Sequence, residues 1–175
     1  MHSKWWVLTA VASGTFMATL DSSVVNIVLP TLTKVLYSEL HKIKWVVIVY
    51  LLVIPCLILP FGSLADRWGR KKIFSLGYIC FTLGSLFCGL STNLSALIIS
   101  RMVQGIGAAM LMANGPAIIT ATFPGNERGK ALGTLAMVVS AGLILGPSVG
   151  GLIIVDLGWR SIFFINIPVG ILGLY

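Results

Sequence analysis

Five long apolar runs constrain this chain more than any other feature. They lie near residues 7–29, 45–64, 73–90, 94–119 and 131–155. Each approaches the ~20 residues that an α-helix needs to cross ~30 Å of hydrocarbon. Inside a bilayer every backbone N–H and C=O must find its partner within the protein, so only helices and closed barrels span it. None of the runs alternates apolar with polar residues, as a barrel strand would. The expectation is an all-α, polytopic membrane helical bundle. A sixth apolar stretch opens near Ile162, and residues 162–175 are short for a comfortable crossing. The reading is five complete spans plus a partial sixth.

Composition decides what lies outside the membrane. Only 10% of the residues are charged, against ~25% in a soluble domain. No polar stretch is long enough for a soluble module, so residues 1–175 read as a single transmembrane domain. The net charge of +7 sits in short loops. That is the pattern of topogenic loops, not of a nucleic-acid surface. Lys4, Arg67, Arg70, Lys71, Lys72, Arg128 and Lys130 fall on one side, and Lys34, Lys42, Lys44 and Arg160 on the other. Seven against four places the N-terminus in the cytoplasm of a multi-pass protein of the cell membrane. Cys56, Cys80 and Cys88 lie in apolar runs without a CxxC spacing, and His2 and His41 lie in polar flanks, so no cofactor and no metal site is expected. Cys80, Gly84 and Cys88 recur every four residues and read as a helix-packing stripe.

Asp21 is the only acid within the runs and Arg101 the only base. A charge at the bilayer centre costs at least ~2.5–3.5 kcal/mol, and such residues face a bundle interior or a watery cavity. Asp21 lies eight residues before one end of its run, and Arg101 seven residues after the same-side start of its own. At ~1.5 Å per residue both sit roughly 10–12 Å deep. They are expected to meet across a cavity, as part of a proton or cation path. The plainer alternative is a buried ion pair that only fixes packing and adds little net stability. Arg101, Gln104, Gly105, Ala108 and Met112 form one stripe on the fourth run, expected to face that cavity. Met102, Ile106 and Met110, on the opposite face, suit lipid or apolar neighbours. Asn26 points away from Asp21 and is expected to bond to a neighbouring helix.

Two further segments stand out. Gly142, Gly146 and Gly150 recur every four residues, beside Pro147 and Gly151. Proline removes a backbone bond and favours a kink, and a smooth glycine face lets a partner backbone approach. The segment GSLADRWGRKK spans Gly62 to Lys72. Gly62 would allow close helix approach, and Asp66 would accept bonds from backbone donors at the next helix start. Gly69 would permit a tight reversal, and Arg70, Lys71 and Lys72 would hold the loop on the cytoplasmic side.

Together these segments resemble the major facilitator superfamily. The Gly62–Lys72 segment resembles its signature loop between spans two and three. Arg101 to Ala109, RMVQGIGAA, looks like its fourth-span motif. Gly142 to Gly151, GLILGPSVGG, looks like its antiporter motif. Leu20 to Pro30 and Trp159 to Pro168 are similar to the first- and sixth-span motifs of the fourteen-span drug:proton antiporter branch. The resemblance implies an N-terminal six-helix half of a transporter whose C-terminal half is absent. It implies proton-coupled efflux of drugs or related amphipathic small molecules, with lipid, protons and substrate as partners. It assigns proton coupling to Asp21, Arg101 and Gln104, and a conformational role to Gly62, Asp66, Arg67, Gly69, Arg70 and Lys71. It assigns the antiporter motif to Gly142, Gly146, Pro147, Gly150 and Gly151.

Two other readings compete. One is a non-transporting membrane interaction protein that self-associates or pairs with a relative. The other is a metabolite or sugar transporter of the same superfamily, against which the glycine–proline motif argues. No HExxH, GxSxG or paired acids occur, so the chain is not expected to be an enzyme.

Overall fold

Helices follow the apolar runs and overshoot most of them, because a helix once formed gains one backbone bond per added residue even where the sequence turns polar. The structure, a computed structural model, describes residues 2–173 and the side chains of residues 4–173. The five spans are α1 (His2–Val35), α3 (Trp45–Trp68), α4 (Arg70–Leu90), α5 (Leu94–Thr122) and α6 (Gly125–Leu157). A short α2 (Leu40–Ile43) joins the first two. The sixth apolar stretch forms α7 (Ser161–Phe164) and α8 (Asn166–Leu172). No strand occurs among the described residues.

The boundaries have local causes. α3 ends at Gly69, whose φ of +99° favours glycine, and α4 begins at the next residue. Asn93 Oδ1 accepts from the backbone N–H of Ala96 at 2.8 Å and caps α5. The link between α4 and α5 is only Ser91, Thr92 and Asn93, which forces antiparallel neighbours.

Small residues set the packing. An added Cβ on Gly84 would lie 2.6 Å from the backbone nitrogen of Gln104, so α4 and α5 touch there almost backbone to backbone. Cys80 Sγ donates to the Val103 carbonyl at 3.3 Å. The stripe of Cys80, Gly84 and Cys88 thus packs on α5, as its spacing implies. Gly142, Gly146 and Gly150 do the same for α6 against Thr19, Ser23 and Val24 of α1. The smooth glycine face is therefore covered inside this bundle.

Pro147, where the sequence favours a kink, lies inside α6. The helical run of α6 continues unbroken through it. Proline lacks the N–H that would bond to the carbonyl four residues earlier, that of Leu143. Ser23 Oγ of α1 donates to that carbonyl at 2.8 Å. Gly151 meets nothing: no atom would lie within 4 Å of an added Cβ.

The apolar core divides into two clusters. One gathers Val11, Met17, Tyr50, Tyr78, Phe81 and Leu111. The other gathers Val25, Val28, Ile43, Leu97, Trp159 and Phe163. Residues 17 and 18 of α1 belong to the first cluster and residues 20 and 24 to the second. Asp21 falls at the junction.

Candidate functional site

The site grows from one helix face. On α1, Met17, Ala18, Val24, Val25 and Val28 are buried at offsets of three, four and seven from Asp21. The helical period that buries those apolar side chains carries the Asp21 carboxyl inward with them. On α5 the same logic buries Arg101, Gln104, Gly105 and Ala108.

The two charges meet directly, without the intervening cavity expected from the sequence. Arg101 Nη1 donates to Asp21 Oδ2. The same nitrogen donates to Gln104 Oε1 at 2.6 Å, and Arg101 Nε donates to the Val46 carbonyl at 3.1 Å. The guanidinium carbon lies 4.1 Å from the centre of the Tyr50 ring, within cation–π range. Tyr50 is itself fixed by donating to the Ala18 carbonyl at 3.0 Å. Arg101 Nη2 has no hydrogen-bond partner among the described residues.

The other carboxylate oxygen is equally engaged. Asp21 Oδ1 accepts from Gln104 Nε2 at 2.9 Å and from Asn166 Nδ2 at 2.9 Å. Both amides also donate to Ser85 Oγ, at 2.6 Å and 3.0 Å. Cys88 Sγ approaches Gln104 Oε1 at 3.6 Å. Asp21, Ser85, Arg101, Gln104 and Asn166 are all buried. One carboxylate thus ties α1 directly to α5 and α8, and the two amides carry the network on to Ser85 of α4.

An ionised carboxyl can only accept, and here every neighbour donates. Charge-assisted bonds of this kind are about twice as strong as neutral ones. The cluster is built for the charged form of Asp21, with Arg101 balancing the charge. Removing either partner leaves an uncompensated buried charge, a loss of ~3–5 kcal/mol.

Other expected residues fall differently. Asp66 accepts from the Arg70 side chain, Nη2 at 2.9 Å and Nε at 3.2 Å, and not from backbone donors. The i,i+4 geometry across Gly69 makes the guanidinium the nearer partner. Arg70 Nη1 also donates to the Ala117 carbonyl of α5 at 3.1 Å. Arg67 and Lys71 are exposed. Gly62 would meet no atom within 4 Å of an added Cβ, so the close approach expected there is not to another helix of this bundle. Asn26 donates to the Ser22 carbonyl of its own helix at 3.2 Å, not to a neighbour. Met102 is exposed as expected, whereas Met110 packs against Gly77 of α4.

Three participants escaped the sequence reading. Ser85 is an ordinary residue of a membrane helix. Asn166 stood only as a letter in the sixth-span motif. Ser23 is identified by the carbonyl that Pro147 frees. A further tie, Lys4 to Glu127 at 2.5 Å, joins the start of α1 to the first turn of α6.

Residues 11–175 match the family described as Major Facilitator Superfamily. The chain belongs to the major facilitator superfamily. Several of its members are similar over nearly the whole chain. The riboflavin transporter RibZ of Clostridioides difficile is 45% identical over 175 residues, all of this chain and 38% of that protein. The putative multidrug resistance protein MdtD of Salmonella typhi is 39% identical, over 96% of this chain and 36% of that protein. Among solved structures, the proton:xylose symporter XylE aligns with a TM-score of 0.86 at 17% identity, covering 98% of this chain and 43% of that one. A bacterial homologue of the human lysosomal transporter Spinster aligns at 0.82 and 23% identity, covering 96% of this chain and 43% of that one. The bundle is the N-terminal half of the superfamily fold. The superfamily consists of membrane transporters of small molecules, which are not enzymes. The chain spans less than half the length of each of these relatives.

Proposed function

We propose that this chain is the N-terminal bundle of a proton-coupled exporter of drugs or related amphipathic molecules, belonging to the drug:proton antiporter branch. Asp21 carries the proton, and Arg101 and Gln104 hold it in place. The observation that carries the reading is the buried Asp21 carboxylate, which accepts from donors on two other helices. A proton arriving on Asp21 removes its charge and weakens the ties to Arg101 and Gln104. α1 and α5 are then free to shift relative to one another. Resistance proteins among the relatives support the substrate class.

Residues 1–175 act as one transmembrane domain of the cytoplasmic membrane, with a cytoplasmic N-terminus. The second bundle of a two-bundle transporter completes the substrate path, which needs two halves for alternating access. In that assembly the loop of Gly62, Asp66, Arg67, Gly69, Arg70 and Lys71 follows the conformational change through the bond from Arg70 to Ala117. The motif of Gly142, Gly146, Pro147, Gly150 and Gly151 keeps α6 seated on α1. A second reading, transport of a planar metabolite, is favoured by the 45% identity to a riboflavin transporter.

The test is a drug-efflux assay on the two-bundle transporter in vesicles with an imposed proton gradient. Asp21→Asn keeps the size of the side chain and removes its proton site. Proton-driven efflux is expected to stop when transport is scored per amount of folded protein, because the substitution also leaves Arg101 unpaired and lowers stability. Normal gradient-driven efflux in Asp21→Asn contradicts the proton-carrier role. Riboflavin moving in preference to cationic drugs favours the second reading.

A further inference from the structure

Protonation of Asp21 raises a problem that its surroundings solve at one residue only. A protonated carboxyl must donate one hydrogen bond, whereas the ionised form only accepts. Every group bonded to Asp21 is now a donor: Arg101 Nη1, Gln104 Nε2 and Asn166 Nδ2. Once protonated, the acid faces a shell of donors and lacks an acceptor, and a buried polar hydrogen without an acceptor is costly.

Arg101 cannot supply an acceptor, because guanidinium has none. Gln104 holds one, Oε1, but that oxygen already accepts from Arg101 Nη1 at 2.6 Å, with Cys88 Sγ at 3.6 Å. Turning the Gln104 amide would set its NH2 against the guanidinium. Asn166 is under no such restraint. Its Nδ2 makes both of its described bonds, to Asp21 and to Ser85, and no donor among the described residues engages its Oδ1. A half-turn of its amide exchanges nitrogen for oxygen at the same place. Oδ1 then accepts the Asp21 proton and the Ser85 hydroxyl hydrogen together. Ser85 Oγ accepts from both amides in the present arrangement, so its own hydrogen is available to donate.

We infer that Asn166 is the positioning residue that reports the protonation of Asp21: its side-chain amide donates to the ionised carboxylate and turns over to accept from the protonated acid. The inference rests on the proton-carrier reading above. The proton arrives from hydronium, leaves a water molecule behind, and returns to water when Asp21 ionises, so nothing else is consumed. Among ionisable groups Asp21 is bonded to Arg101 of α5, Tyr50 of α3 stacks on that guanidinium, and Cys88 of α4 approaches Gln104. The described contacts of α6, α7 and α8 add no ionisable side chain to the cluster. Asn166 begins α8, directly after the interruption at Ile165. The turn therefore transmits the charge state of α1 to the sixth apolar segment.

The test is acid-induced infrared difference spectroscopy of the two-bundle transporter, prepared with and without 15N-labelled asparagine. The parent is expected to show a protonated-carboxyl band that Asp21→Asn removes. A side-chain amide band sensitive to the asparagine label should rise with the same midpoint and vanish in Asn166→Ser. Asn166→Ser keeps a hydroxyl that donates or accepts and should retain part of the drug-dependent proton exchange. Asn166→Leu does neither and should lose it by about tenfold, as for an unsatisfied buried polar group. In an Asp21→Asn background Asn166→Leu should change no band. An Asp21 band with no asparagine-sensitive partner overturns the inference and leaves the proton reading standing. A response carried by labelled glutamine instead also overturns it, and assigns the turn to Gln104. A missing Asp21 band overturns both.

Discussion

Gly146→Ala tests the packing that holds α6 to α1. An alanine Cβ at 146 would sit 2.5 Å from both Cβ and Oγ of Ser23, whereas carbon atoms in good contact lie at ~3.5–4.0 Å. The two helices must therefore part by about 1 Å, or Ser23 must leave its rotamer. Overpacking of this kind costs ~1–3 kcal/mol. A displaced Ser23 also gives up its 2.8 Å bond to the Leu143 carbonyl, and an interhelical bond in a membrane is worth ~0.6–2 kcal/mol. Against this, alanine is the better helix former by up to ~1 kcal/mol. The net expectation is a loss of ~1–3 kcal/mol. Gly151→Ala is the matched control. It adds the same methyl group on the same helix, with no atom within 4 Å, and should match the parent or gain up to ~1 kcal/mol from the better helix former. Thermal unfolding of the purified bundle in detergent reads the difference, at ~2–4 °C per kcal/mol for a chain of this size. Equal midpoints for the two variants would refute the argument, because α6 would then not rest on α1 through this face.

Other outcomes follow from the same structure. Ser23→Ala removes the donor to the carbonyl freed by Pro147 and should cost ~0.6–2 kcal/mol, whereas Ser140→Ala, on an exposed position whose hydroxyl bonds only to its own helix, should cost less than ~0.5 kcal/mol; thermal unfolding compares them. Gly69→Ala forces a side chain onto a φ of +99° and should lower stability by about 1–3 kcal/mol with no steric clash, read from the same melting curves. For topology, Lys71→Cys is expected to react with an impermeant thiol reagent only after the membrane is opened, since the charge asymmetry puts that loop in the cytoplasm; labelling from outside in intact cells reverses the orientation.

The spans and the pairing of Asp21 with Arg101 were legible in the sequence because each depends on one number. Length and apolarity define a crossing, and counting residues from the run ends sets the depth of a charge. The rest of the cluster depended on which helix faces which. Ser85 and Asn166 join Asp21 only because α4 and α8 close around α1, and no spacing along the chain expresses that. Pro147 was readable as a missing donor, but the group that replaces it, Ser23, lies 120 residues before the freed Leu143 carbonyl. Asp66 was expected to serve backbone donors, yet Arg70 stands just past the reversal at Gly69 and brings a full charge. Asn26 was expected to reach across helices, although an exposed amide with a carbonyl four residues behind it needs no other partner.

The measurement that tests the central claim most directly is proton release on substrate binding. The two-bundle transporter, lightly buffered in detergent with a pH-sensitive dye, is mixed with a cationic drug near neutral pH. Competition between drug and proton for the state governed by Asp21 predicts release of up to about one proton per bound drug, by linkage of the two binding equilibria. Asp21→Asn should bind the drug and release none. Equal proton release from the parent and from Asp21→Asn would contradict the account and place the coupling proton on another group.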